Sequence, residues 1–260
     1  MEKANGWLYD VLNKNKFIKK GIDKMNINLV HDFNINTEEE FSRIQSDLAK
    51  NIKLENGFNP ENIETCAGVD LAYWMKDGEE YATCCIVVID YITKEVIEKV
   101  YSYGKINEPY IPGYLAFREL PLIIRAVEKL GSEPNIFVFD GNGYLHFSHM
   151  GIATHASFFL NKPTIGVAKS YLKINGNDFQ MPEDEIGAYK DIVIENEVYG
   201  RVLRSRKNTK PIFISCGNYI DIETSTEIIL NLLNRDSRIP IPTRLADLET
   251  HIMREKLKKM

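Results

Sequence analysis

The sequence predicts an α/β fold built on one central mixed sheet, in which a three-strand antiparallel meander is extended by parallel strands and flanked by helices. Three observations predict it. Three β-branched and aromatic runs follow one another across short turns between residues 64 and 103. Short, almost wholly apolar runs then alternate with helical patterns, as buried parallel strands do. The chain, at 260 residues with 44% hydrophobic and 27% charged side chains, has globular composition and the length for a sizeable core.

The first 35 residues are polar, rich in Asn and Lys, and weakly periodic. They are expected to form an N-terminal extension (1–35) with a short helix around Gly6 to Phe17, a surface appendage ahead of a single domain over 36–260. At the domain start, Asn36 and Thr37 followed by Glu38, Glu39 and Glu40 supply a helix cap and an acidic first turn. Phe41, Ile44, Leu48 and Ile52 then recur at helical spacing. After Pro60 come the strand-like runs Glu64 to Tyr73 and Tyr81 to Tyr91, parted by the turn Lys76-Asp77-Gly78, and a third run, Glu95 to Tyr103, after Thr93-Lys94. A loop flanked by prolines, Glu108 to Gly113, leads into a helix from about Tyr114 to Leu130. Asn135 to Asp140 reads as a buried parallel strand, followed by a helix from about Met150 to Leu160 and a strand from Thr164 to Ala168. Irregular segments follow. Residues 211–216 read as a strand, and 223–234 and 244–258 as helices. Meander, then alternating helices and strands, is the layout of the ribonuclease-H-like fold.

Composition excludes several classes. The longest strongly apolar run, Cys84 to Ile89, is far too short to cross a bilayer, and the charged N-terminus lacks the apolar segment of a secretory signal. Four cysteines (Cys66, Cys84, Cys85, Cys216) are too few for a disulfide scaffold and lack the spacing of a zinc site. Cys84 and Cys85, adjacent in a strand, should face opposite sides of the sheet. A reduced, cytoplasmic protein is expected, with no membrane partner and no obligate protein partner, and monomeric.

The net charge of −5 hides an asymmetry: residues 61–199 hold eleven basic and twenty-one acidic side chains, and residues 200–260 hold twelve basic and seven acidic. This suits a carboxylate metal site beside a phosphate-binding surface, and equally a chance segregation of surface charge.

Four acids draw attention. Asp70 interrupts an apolar strand, where an unpaired charge is expensive. Asp140 ends another, at the strand edge where α/β proteins bind ligands. Glu119 lies on the helix after the proline loop, and Asp247 near the start of the C-terminal helix. Each has a structural alternative: Glu119 pairing with Arg125, Asp140 capping the turn into Gly141, Asp247 capping its helix. Together, such carboxylates repel, and a divalent cation relieves the repulsion; oxygen-only ligation favours Mg²⁺ or Mn²⁺. Two such ions about 3.5–4 Å apart activate water and stabilise the leaving oxygen of a phosphodiester.

Several segments resemble the endonuclease V family: PYIPGYLAFREL (109–120), VFDGNGYLHF (138–147), GIATHASFFLNKPTIGVAKS (151–170), IPIPTRLADL (239–248) and the first-strand segment CAGVDLAY (66–73), in the expected order across roughly residues 36–255. The resemblance implies a Mg²⁺-dependent nuclease, with Mn²⁺ as a substitute, that cuts inosine-containing DNA or RNA. Its cut falls at the second phosphodiester 3′ to the deaminated base, by two-metal-type hydrolysis that leaves 3′-hydroxyl and 5′-phosphate ends. It makes Asp70, Glu119 and Asp140 metal-binding acids, Asp247 the acid that completes the site, and Lys169 the lysine near the scissile phosphate. A lysine at a strand end suits that role, because it offsets charge building on a phosphate.

Pro109, Tyr110, Ile111 and Pro112 resemble the family's wedge: the prolines stiffen the loop, and the tyrosine ring can fill the gap left by a flipped base. Gly113, Gly141 and Gly143 resemble the family's hypoxanthine pocket, where backbone groups read the base edge, and His146 matches a histidine near it. The chain departs from the family at Asn142, where a histidine is common, at Phe147, Ser148 and His149, where proline and basic residues are common, and at Cys216 in place of a proline. Arg201, Arg204, Arg206, Lys207 and Lys210 are the candidate contacts to the nucleic-acid backbone, with a solvated hairpin as the alternative. Other functional readings are a structure-specific nuclease of the same fold without inosine specificity, and a module that binds a modified base without cleaving it.

Overall fold

A computed structural model describes residues 25–34 and 37–260. The helix expected around Gly6 to Phe17 lies outside these residues. In chain order the elements are α1 (Glu38–Ala49), β1 (Thr65–Lys76), β2 (Glu79–Asp90), β3 (Val96–Lys105), α2 (Leu115–Val127), β4 (Ile136–Asp140), α3 (Ile152–Leu160), β5 (Thr164–Ala168), β6 (Tyr189–Ile194), β7 (Glu197–Leu203), β8 (Ile212–Asn218), α4 (Ile222–Asn231) and α5 (Ile241–Lys258). The cap of α1 is Thr37, whose hydroxyl accepts from the Glu40 N–H.

Eight strands form one sheet in the order β3-β2-β1-β4-β5-β8-β7-β6. The meander is antiparallel, β1–β4 and β4–β5 are parallel, and the β5–β8–β7–β6 half is antiparallel again. This is the ribonuclease-H-like mixed sheet flanked by helices that the sequence predicts. Helices α2 and α3 cover one face, with Cys84, Ile86, Leu120, Ile123, Phe139 and Phe159 in the core between. Across the sheet, Cys85, Val138, Ile165, Ile214, Ile228 and Ala246 pack beneath α4 and α5. The adjacent cysteines therefore do face opposite layers. No helix among the described residues is long and apolar enough to cross a membrane.

Two regions differ from the sequence reading. Within the irregular stretch lies the hairpin β6–β7. It turns on Glu195 and Asn196, both with positive φ (51° and 67°), so the glycine that signals such a turn is missing from the sequence. The second is residues 25–34, assigned by sequence to the extension. Met25 is buried, Ile27, Val30 and Phe33 pack on the α2–α3 layer, and the Asn28 N–H donates to the Phe159 carbonyl at 2.8 Å. His31 Nε2 lies 2.8 Å from Nε2 of the fully buried His155, so one ring donates to the other.

One close approach controls where α5 sits. A Cβ on Gly68 of β1 would lie 2.1 Å from the Pro242 carbonyl carbon and 2.4 Å from the Thr243 nitrogen. Only glycine lets the first turn of α5 rest on the strand, and that contact brings the rest of α5 across β1. Gly68→Ala is expected to destabilise the protein by about 1–3 kcal/mol, the usual cost of overpacking. A thermal melt reads this directly, and an unchanged Tm would contradict it.

Candidate active site

Asp70 and Asp140 extend side by side from the parallel strands β1 and β4, one residue beyond the Val69–Phe139 pair. Helix α5 delivers Asp247 to the same point. Asp70, Asp140 and Asp247 each offer a carboxylate oxygen, and these atoms lie within 4.8 Å of one another. Lys169, just past the end of β5, places Nζ 2.5 Å from Asp140 Oδ2 and 3.3 Å from Asp247 Oδ1. The structural alternatives for these acids give way. Asp140 is bound to Lys169, and Asp247 lies within its helix, not at the cap.

Glu119 stands apart from this trio. It is buried on α2, where its Oε1 accepts from the Tyr73 hydroxyl at 2.6 Å. It shares with Asp70 and Asp140 a cavity of about 240 Å³, closed by Leu71, Ile123 and Ile152. Arg125 is not its partner; that guanidinium donates to the Pro121 carbonyl. The carboxylates whose oxygens already lie together are therefore Asp70, Asp140 and Asp247, and Glu119 lines the same cavity as Asp70 and Asp140.

The electrostatics follow from burial. Asp70 is pushed up to about 8, first by burial and then by the charge of Asp140, although Thr250 Oγ1 donates to its Oδ2 at 2.8 Å. Glu119 is pushed up to about 7, again by burial first, with the Tyr73 hydrogen bond working against the shift. Burial pulls the Lys169 ammonium down, but Asp140 and Asp247 outweigh it and hold the group above the ordinary lysine value. One ammonium thus faces three carboxylates. The all-oxygen donor set, at this spacing and with this residual negative charge, fits a divalent cation.

Several supporting side chains were not legible beforehand. Arg244 Nη1 lies 3.0 Å from Asp247 Oδ2, and Arg238 Nη2 donates to the Lys169 carbonyl at 3.2 Å. Thr250, three residues after Asp247, had a signal in that helical spacing. Tyr73, two residues past the core of the first strand motif, had none.

The loop Pro109 to Gly113 stands at the surface, with Tyr110 66% exposed. His146 is buried beside it, and burial lowers its imidazole to about 4, so the ring is neutral. The Gly141 and Gly143 N–H groups are engaged internally, with the Val167 carbonyl at 3.2 Å and Ser215 Oγ at 2.8 Å.

The basic cluster also divides. Arg206, Lys207 and Lys210 are exposed on the β7–β8 loop. Arg201 and Arg204 are buried, the first paired with Asp191 (2.7 Å) and Glu223 (3.2 Å), the second with Asp184 (3.3 Å) and the Thr209 carbonyl. Their charges are neutralised inside the fold and do not face a phosphate.

The model of the Endonuclease V family matches residues 46–248. The chain belongs to the endonuclease V family. It is 66% identical over 228 residues to an endonuclease V of Clostridium acetobutylicum, covering 88% of this chain and 97% of the relative. Its structure resembles the crystal structure of the Bacillus subtilis endonuclease V, with a TM-score of 0.88 and 60% identity over 90% of this chain and 99% of that one. It also resembles the Ciona intestinalis endonuclease V solved in complex with a 24mer DNA containing an inosine followed by a ribo-adenosine, with a TM-score of 0.75 and 29% identity over 84% of this chain and 98% of that one. The chain is thus a nuclease that hydrolyses phosphodiester bonds.

The Asp70 environment predicts a pH dependence of stability. A carboxyl raised in the folded state binds more protons there than in the unfolded chain. It therefore contributes stability below its unfolded value near 4, and loses it as pH rises through about 8. In chelator, Asp70→Asn is expected to flatten that slope and raise the Tm at pH 8. Thermal melts from pH 5 to 9 check this, and an identical slope in wild type and variant would contradict it.

Proposed function

We propose that this endonuclease V nicks inosine-containing DNA or RNA at the second phosphodiester 3′ to the altered base, leaving 3′-hydroxyl and 5′-phosphate ends. The observation that carries the reading is the convergence of Asp70, Asp140, Asp247 and Lys169 at adjoining strand ends. The Tyr110 loop and the His146 loop lie on the same chain segments that lead into and out of that site. The inosine-containing DNA held by the Ciona relative supports the substrate class.

Asp70, Asp140 and Asp247 would hold the cation, with Mg²⁺ as the physiological ion and Mn²⁺ as a substitute. Bound there, it supplies Lewis-acid charge to a phosphoryl oxygen and lowers the pKa of the attacking water. Lys169 stays protonated and places its ammonium where negative charge builds on the phosphate. Glu119, whose Oε1 is held by Tyr73, would present Oε2 to a second metal or to the attacking water. Asp70 must lose its proton to ligate the cation, so metal binding there would release a proton.

Base selection is assigned to the surface loops. The exposed Tyr110 ring, on a backbone stiffened by Pro109 and Pro112, fills the space vacated by the flipped base, and flipping is easiest at a mispair. Backbone phosphates lie along Arg206, Lys207 and Lys210, giving a salt dependence from counterion release. Residues 25–34 belong to the catalytic unit, since they pack on the core. All four cysteines are free and buried, which suits a monomer working in the cytoplasm.

End-labelled single-stranded DNA, duplex DNA and single-stranded RNA, each with one inosine beside adenine controls, test the reading with Mg²⁺ present. The expected product is a cut one nucleotide beyond inosine, lost in Asp140→Ala while the far-UV spectrum is kept. Equal cutting of inosine and adenine strands would contradict the base selection, and full turnover by Asp140→Ala would contradict the site.

A further inference from the structure

The buried face of α1 carries a polar residue where an apolar one is expected. Phe41 anchors the helix by stacking on Phe117 of α2, with ring centroids 4.2 Å apart. One turn later on the same face, Gln45 is only 2% exposed. A buried polar side chain needs partners, and Gln45 has two on different loops. Its Nε2 donates to the Gly113 carbonyl at 2.9 Å, and its Oε1 accepts from the Ser148 hydroxyl at 2.8 Å. Ser148 Oγ lies 3.1 Å from His146 Nδ1, which also accepts from the Ser148 backbone N–H at 3.3 Å. The His146 imidazole lies against Gly113, so the four residues close a ring of contacts.

That ring joins the end of the Tyr110 loop to the loop that carries His146. Gly113 has φ +91°, a conformation side chains rarely adopt, so its carbonyl direction is set by the turn and then fixed by Gln45. The direction of the Gln45 amide is fixed by the same logic, because a carbonyl accepts only from its NH₂ end.

We propose that Gln45 and Ser148 are positioning residues for base selection, clasping the Tyr110 loop to the His146 loop at a fixed separation so that a flipped inosine fits between them. The proposal rests on the base-selecting role given above to these two loops. Neither side chain hydrogen-bonds to a carboxylate of the site. Loosening the clasp leaves the carboxylate site in place and costs the substrate its preformed seat, so the loss falls on KM and on the preference for inosine over adenine.

The test uses the full chain with Mg²⁺ and single-stranded oligonucleotides carrying inosine or adenine at one position. Gln45→Leu and Ser148→Ala are each expected to raise KM for the inosine strand by about tenfold, the scale of one lost buried hydrogen bond, with kcat changing less. The double variant should lose little more than either single one, because both cut the same ring. Ser148→Thr, which keeps the hydroxyl, should restore KM, and Ser46→Ala on the exposed face of α1 should behave as wild type. If Gln45→Leu does not fold, the Ser148→Ala and Ser148→Thr pair carries the test. Unchanged KM and inosine preference, or a loss confined to kcat, would overturn the clasp while leaving base selection by the loops intact. A wild-type enzyme that cuts inosine and adenine strands equally would overturn the base-selecting role and the clasp with it.

Discussion

Three carboxylates held close together by rigid elements are the constraint around which this molecule is arranged. Asp70 and Asp140 are fixed by neighbouring parallel strands, and Asp247 by a long helix packed across them. Left alone they repel, and burial of Asp70 raises the cost further. Lys169 offsets part of that cost by reaching both Asp140 and Asp247. The negative charge that remains favours a divalent cation at this point.

The scaffold explains how such a cluster is tolerated. Parallel strands deliver two acids to one sheet edge, and the core on both faces is dense enough to hold them there. Gly68 lets α5 approach the sheet backbone, and Thr250 on that helix hydrogen-bonds Asp70. On the far wall, Tyr73 clamps Glu119. Chemistry is thus built on strands and helices, while the residues that would select a base sit on the loops beside them, tied together through α1.

Much of this was readable in the sequence because it rests on local rules. The meander, the apolar strands ending in Asp140 and Ala168, and the placing of Asp70 and Asp140 follow from periodicity and from the cost of a charge in an apolar run. What was hidden depends on partners distant in sequence. Arg201 and Arg204 look like an exposed basic cluster, but Asp191, Glu223 and Asp184 neutralise them within the β6–β7 half of the sheet. Asp247 comes within reach of Asp70 and Asp140 because of how α5 crosses β1, which no linear spacing encodes. Residues 25–34 follow a polar, Asn- and Lys-rich stretch that masks them, yet Met25, Ile27, Val30 and Phe33 pack on the α2–α3 layer. Gln45 sits among the apolar repeats Phe41, Ile44 and Leu48, and its polar end is satisfied by loops that are separate in sequence.

The most direct measurement of the carboxylate account is the proton release that accompanies Mg²⁺ binding. Calorimetric titrations in buffers of different ionisation enthalpy give the count at pH 7. With Asp70 near 8, the metal-free site carries a proton that the ion must displace, so release of about half to one proton per protein is predicted, falling away by pH 9 and absent in Asp70→Asn. Mg²⁺ binding with no proton release at pH 7, or the same release in Asp70→Asn, would contradict the claim that burial and the neighbouring Asp140 charge hold a proton on Asp70.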